Sequence, residues 1–273
     1  MVPRQLLPLP NGGTFHNRTP VDRATTWELR PSGGELTVSG AIALVGSGEF
    51  TPAMVEVDRG LLAATGRDRA RVAIVPTASW PDGEAVFLRW AAQGEAHFAA
   101  LGADPIPVLV RDRATADDPA SVAAIRSADL IYLSGGKPGH LLMALRDSGA
   151  GSALREAHAR GAVIAGCSAG AMVLGGHQLR VGGRRFLELP VKWEAGLGIV
   201  PRLIIVPHYD AFPETLVAPM TLAAPEGALV VGIDEETAMV GREGDWRVQG
   251  RGRVTVWRGG RRERYRAGSA VPL

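Results

Sequence analysis

One segment narrows the folds open to this chain more than any other. Ala162-Val163-Ile164-Ala165 is an apolar run of strand character. It drives straight into Gly166-Cys167-Ser168-Ala169-Gly170, and Ala169 to Leu174 then reads as helix. A G-x-S-x-G pattern at a strand-to-helix junction is that of a nucleophile elbow. A serine on so sharp a turn sits in a strained backbone conformation. Side chains two positions away on either side would collide, so glycine is required at both. The segment therefore calls for a strand–turn–helix unit and makes Ser168 a candidate nucleophile.

The rest of the chain supplies the sheet such a unit needs. Apolar strand runs are expected at 41–45, 72–76, 106–110, 130–133 and 203–206, besides the one feeding Ser168. Helical stretches separate them at 55–65, 84–101, 119–127, 139–148 and 152–160. Strands alternating with helices imply βαβ units, hence a doubly wound, mostly parallel sheet covered on both faces. Beyond residue 206 the pattern changes. Short apolar strands at 229–231, 237–240, 246–248 and 254–257 lie between Gly-rich or charged turns. They read as antiparallel strands closing one edge of the sheet. Residues 1–38 are rich in Pro, Gly, Thr and Arg without a sustained period, and read as an N-terminal arm. Residues 39–273 read as a single α/β hydrolytic domain.

Composition removes several function classes. The net charge of +2 is nearly balanced, which gives no argument for nucleic acid. Its basic residues are mostly arginines, since Lys137 and Lys192 are the only lysines. The arginine clusters at 180–185 and 258–266 read as solvated surface. No apolar run reaches the ~20 residues needed to span a bilayer, and prolines break the apolar N-terminus. A cytoplasmic protein with no membrane partner is expected. Cys167 is the one cysteine, so no intrachain disulfide can form. Gly46-Ser47-Gly48 lacks the third glycine of a dinucleotide loop, and neither G-K-[ST], H-E-x-x-H nor a Cys/His cluster occurs. No cofactor and no metal are expected.

A nucleophilic serine needs a base, and histidine is the usual one. His208 ends the apolar run at 203–206. The carboxyl ends of parallel strands gather on one edge of a sheet, which would set His208 beside Ser168 if their strands are neighbours. His177 and His140 are the next candidates; His16, His97 and His158 lie in the arm or mid-helix. For the carboxylate that orients the histidine, Glu188, Glu194, Asp210 and Glu214 all remain open. An oxyanion hole would use the amide of Ala169, directly after the nucleophile, and that of Gly136, in the turn ending the fourth strand. Cys167 sits one residue before the glycine-centred position and is expected to point to the sheet side of the turn.

Six segments taken in order resemble peptidase family S51, the dipeptidase E and cyanophycinase family. They are Ala43 to Phe50, Val75 to Ser79, Tyr132 to Gly136, Gly166 to Ala171, Pro207 to Tyr209 and Val231 to Ala238. The resemblance implies a class I glutamine amidotransferase-like, flavodoxin-like fold with serine replacing cysteine. It implies Ser168 as nucleophile, His208 as base, and Gly136 and Ala169 as the oxyanion hole. It favours Glu188 as the third member, because dipeptidase E carries an acidic residue before a segment similar to Leu189-Pro190-Val191. It also suggests a homodimer. One departure stands out: family members often follow the Gly-Gly turn with Asn or Asp, whereas this chain has Lys137-Pro138.

The expectation is a serine-type peptidase or amidohydrolase acting on a small peptide or aspartyl-type amide. Lys137, Arg184 and Arg185 are candidates for binding a substrate carboxylate. Two alternatives compete: an α/β-hydrolase-like esterase, and a non-catalytic binding protein retaining the fold. The short interval between Ser168 and His208 argues against the esterase.

Overall fold

The computed structural model describes residues 39–180, 192–242 and 244–273. Its strands in chain order are β1 (Ile42–Val45), β2 (Arg71–Val75), β3 (Asp104–Pro107), β4 (Leu130–Leu133), β5 (Val163–Cys167), β6 (His177–Leu179) and β7 (Trp193–Ala195). They continue with β8 (Leu203–Val206), β9 (Leu229–Ile233), β10 (Thr237–Arg242), β11 (Asp245–Gly250), β12 (Arg253–Arg258), β13 (Arg261–Arg266) and β14 (Ala270–Val271). The helices are α1 (Val55–Ala64), α2 (Glu84–Ala100), α3 (Arg113–Ala116), α4 (Pro119–Arg126), α5 (Pro138–Leu145), α6 (Gly149–Ala159), α7 (Ala169–Leu174) and α8 (Glu214–Leu222).

The main sheet has eight strands in the order β14-β11-β10-β1-β5-β4-β2-β3. From β1 to β3 every pairing is parallel. Each residue of β1, β4 and β5 is buried, whichever way its side chain points. Such strands are covered on both faces, which is why they read as unbroken apolar runs instead of alternating ones. β3 ends the sheet with Pro105 and Pro107, which cannot offer an amide to another strand. The fold is thus α/β, with a mostly parallel run of strands and antiparallel C-terminal strands.

The C-terminal strands depart from expectation in one respect. They do not all close one edge. β10, β11 and β14 extend the main sheet beyond β1, antiparallel to one another. β9, β12 and β13 join β8 in a separate four-stranded sheet ordered β13-β12-β9-β8. The run at 203–206 is therefore not a neighbour of β5. The crossing from one sheet to the other falls at Asp234-Glu235-Glu236, between β9 and β10. An apolar pattern, alternating or unbroken, says that a strand is half or fully buried, but not which edge accepts it.

The aromatic packing next to β1 positions the site described below. Phe50 has φ 62°, in the left-handed region. Its ring lies within 6.3 Å, centroid to centroid, of Trp90, His97, Phe98 and Tyr132. Mid-helix Gly94 makes room for it, since a Cβ there would stand 2.9 Å from Phe50 Cζ. Phe87 and Phe98 on α2 are fully buried, each contributing on the order of 2–3 kcal/mol of apolar burial. The N-terminal arm expected at 1–38 lies outside the described residues.

Candidate active site

Ser168 lies between β5 and α7 with φ 50° and ψ −109°, a conformation that L-residues rarely adopt. Its neighbours explain how it persists. A Cβ on Gly166 would come within 2.5 Å of the Gly170 backbone, and one on Gly170 within 2.2 Å of the Leu133 carbonyl oxygen. The two glycines thus let α7 fold back over β5 and pack on β4. The Ser168 amide donates to the Val45 carbonyl at 2.9 Å, and the Met172 amide donates to the Ser168 carbonyl at 3.1 Å. These bonds hold the strained residue from both sides.

His208 follows β8 and itself has a left-handed backbone, φ 52° and ψ 37°. Ser168 Oγ and His208 Nε2 are 2.9 Å apart. The other ring nitrogen, Nδ1, lies 2.8 Å from Glu235 Oε1. Glu235 follows β9, the parallel neighbour of β8, so two adjacent strand ends deliver the imidazole and the carboxylate. The Glu235 amide donates to Asp210 Oδ1 at 2.9 Å, which fixes the carboxylate's segment to the turn carrying His208. Tyr209 anchors that turn. Its ring lies against Gly232, where a Cβ would stand 2.1 Å from it, and its hydroxyl accepts from Trp257 Nε1 at 2.9 Å.

A carboxylate accepting from Nδ1–H leaves Nε2 unprotonated and facing the hydroxyl, the tautomer a general base requires. Sequence reasoning did not consider Glu235 for this place. Its signal was present nonetheless: Glu235 sits in Val231 to Ala238, just past an apolar strand. Glu188, Arg184 and Arg185, the other expected participants on the 181–191 segment, lie outside the described residues.

The turn after β4 faces the serine. A Cβ on Gly135 would be 3.3 Å from Ser168 Cβ. The turn's amides have distinct fates. Ser134 donates to the Val75 carbonyl at 3.2 Å and Lys137 to the Ala78 carbonyl at 2.7 Å. Gly135 donates to Glu49 Oε1 at 2.9 Å. Only the Gly136 amide among these four carries no hydrogen bond among the described residues. Gly136 has φ 140°, and a Cβ on it would stand 2.3 Å from the Ala78 carbonyl oxygen. The Ala169 amide opens α7 and has no helical carbonyl behind it. The Lys137 ammonium is 3.3 Å from Asp82 Oδ1, an exposed pair at the outer end of the same turn.

Cys167 is fully buried and donates through Sγ to Glu49 Oε2 at 2.8 Å. Burial, together with the Glu49 carboxylate, pushes its thiol well above the usual range. It stays protonated and turned away from the histidine's partner. His177 and His140, the reserve bases, do not reach the hydroxyl; His140 Nε2 instead meets the Arg111 carbonyl at 2.7 Å. Among the described residues no group of three or more His, Cys, Asp or Glu could hold a metal ion. None of their helices is long and apolar enough to cross a membrane.

The model of the family described as Peptidase family S51 matches residues 42–249. The chain belongs to that family. S51 peptidases are serine hydrolases, and the fold agrees: a crystal structure of a peptidase from an acI-B1 Actinobacterium superposes with a TM-score of 0.76. That pair is 29% identical, covering 86% of this chain and 97% of the other. A cyanophycinase of Nostoc sp. (strain PCC 7120 / SAG 25.82 / UTEX 2576) is 28% identical over 88% of this chain and 80% of its own length. A cyanophycinase of Synechococcus elongatus is 34% identical over 55% of this chain and 48% of its own length. A putative peptidase E protein from Listeria monocytogenes EGD-e, 18% identical with a TM-score of 0.54, shares the fold.

Proposed function

We propose that this S51 peptidase cleaves an amide bond in a short peptide or an aspartyl-type substrate through an acyl-enzyme on Ser168. The reading is carried by the 2.9 Å approach of Ser168 Oγ to His208 Nε2. His208 takes the hydroxyl proton as Oγ attacks the substrate carbonyl carbon. The carbonyl electrons move onto oxygen, and the Gly136 and Ala169 amides receive that oxyanion, each donor being worth about 3 kcal/mol in such sites. As the tetrahedral species collapses, the C–N bond breaks and Nε2 returns the proton to the leaving amine. Water, deprotonated by the same nitrogen, then hydrolyses the acyl ester and restores Ser168. Glu235 holds the imidazole through Nδ1, at 2.8 Å; Glu188, which the family resemblance favours, lies outside the described residues.

Similarity to proteins named cyanophycinase adds cyanophycin to the substrates worth testing. Lys137, on the turn that carries Gly136 and paired with Asp82, is a candidate for a substrate carboxylate. The test is fluorophosphonate labelling of the wild type and of Ser168→Ala, followed by a dipeptide screen containing Asp-X and β-aspartyl peptides. Labelling at Ser168 that disappears in the variant, with amide turnover lost in parallel, supports the reading. Equal labelling of both proteins overturns it.

A further inference from the structure

Glu49 lies just past β1, 8% exposed, and its two carboxylate oxygens go to two different parts of the site. Oε1 accepts from the Gly135 amide at 2.9 Å, and Oε2 accepts from the Cys167 thiol at 2.8 Å. Each of these residues directly precedes one that acts on substrate in the proposed reaction: Gly135 precedes Gly136, and Cys167 precedes Ser168. The partners are 86 and 118 residues away in sequence, so no local turn imposes either contact. One side chain therefore spans the gap between the loop offering an amide and the elbow offering a hydroxyl.

The surroundings fix Glu49 from behind. Phe50, in its left-handed conformation, is wedged among four rings and anchors the backbone next to Glu49. In front there is no slack. A Cβ on Gly135 would meet Glu49 Oε1 at 2.7 Å and Ser168 Cβ at 3.3 Å. The turn is pressed between carboxylate and serine, with glycine as the spacer.

We infer that Glu49 is a positioning residue of the hydrolytic centre, whose carboxylate sets the distance between the Gly136 amide and Ser168. This rests on the proposed role of Ser168. Both partners are donors: a backbone N–H always, and a thiol whose position in the core favours its protonated form. Only a group with two acceptor oxygens satisfies both, and glutamate is the side chain of this length that has them. An amide in its place keeps one bond and opposes a donor to the thiol. An oxyanion donor displaced by about 1 Å costs on the order of 10²-fold in rate.

The experiment compares the rate of fluorophosphonate labelling in wild type, Glu49→Gln and Glu49→Ala, resolved into the limiting rate and the half-saturating concentration. Expected is a limiting rate about 10²-fold lower for Glu49→Ala and about tenfold lower for Glu49→Gln. The half-saturating concentration should stay within threefold. The pH of half-maximal labelling should not move, since the His208–Glu235 contact is untouched. A folded Glu49→Ala that labels at the wild-type limiting rate overturns the inference while leaving Ser168 as nucleophile. So does a loss confined to the half-saturating concentration, which would mark a purely structural role. If Glu49→Ala does not fold, Glu49→Gln decides: a limiting rate within twofold of wild type overturns the inference. A wild type that fails to label at Ser168 overturns the functional reading and this inference with it.

Discussion

Removing the Glu235 carboxylate separates two accounts of the His208 environment. In a dry serine-hydrolase site, loss of the orienting carboxylate costs on the order of 10⁴-fold in kcat, because the imidazole takes the wrong tautomer. Here the His208 side chain is 35% exposed and that of Glu235 is 50% exposed. Water can therefore bond Nδ1–H when the carboxylate is gone. What is lost is the difference between a charge-assisted bond and one to water, about 2–3 kcal/mol. At 1.36 kcal/mol per factor of ten this becomes about 30- to 160-fold in kcat. The segment itself should stay in place in Glu235→Ala, because Asp210 holds its backbone amide and not its side chain. The assay is steady-state hydrolysis of p-nitrophenyl acetate, and then of any amide found in the dipeptide screen. KM should be nearly unchanged. A kcat within threefold of wild type would show that Glu235 does not orient the base. A loss near 10⁴-fold would show that solvent does not reach Nδ1 during turnover, and would refute the exposure argument.

Two further outcomes follow from backbone packing and burial. Gly170→Ala drives a methyl to within 2.2 Å of the Leu133 carbonyl oxygen, where only backbone is available to give way. About 3 kcal/mol of stability should be lost, lowering Tm by roughly 10 °C, and an unchanged melting curve would contradict the packing. His158 on α6 has its ionisation held below the ordinary range of 6.5, first by burial and then by the Arg242 charge. The unfolded chain therefore binds this proton more readily. The stability due to neutral His158 is present above pH 6.5 and falls away as pH drops below it. Urea midpoints measured at pH 7.5 and 5.5 should fall more for wild type than for His158→Gln; equal falls would sink the assignment.

Much of the fold was legible because it is written in short-range patterns. β4 and β8 match their expected bounds, β1 and β2 lie within a residue of theirs, and β5 begins one residue into its apolar run and ends two residues beyond it. Buried parallel strands are continuous apolar runs, and α7 begins where the G-x-S-x-G pattern puts it. The exposed or irregular elements were less readable. β13 is Arg261 to Arg266 with five arginine or glutamate side chains, so Tyr265 is its one aromatic or apolar residue and no alternation can be read. α8 holds Pro219 within its span, which argues against a helix by propensity.

The candidate site divides along the same line. Glycine spacing around Ser168 is a local steric requirement, so ten residues were enough to single out the hydroxyl. Its partners depend on how distant segments meet. His208 comes from the end of a strand in another sheet, so the neighbour rule for one parallel sheet does not describe its approach. Glu235 and Glu49 are joined to the site through contacts spanning 27, 86 and 118 residues. Periodicity reports the surroundings of a segment averaged over a few residues. Which carboxylate ends up against which nitrogen or amide is settled when two sheets pack, because bonding distance is a property of the packed backbone and has no counterpart in a linear pattern.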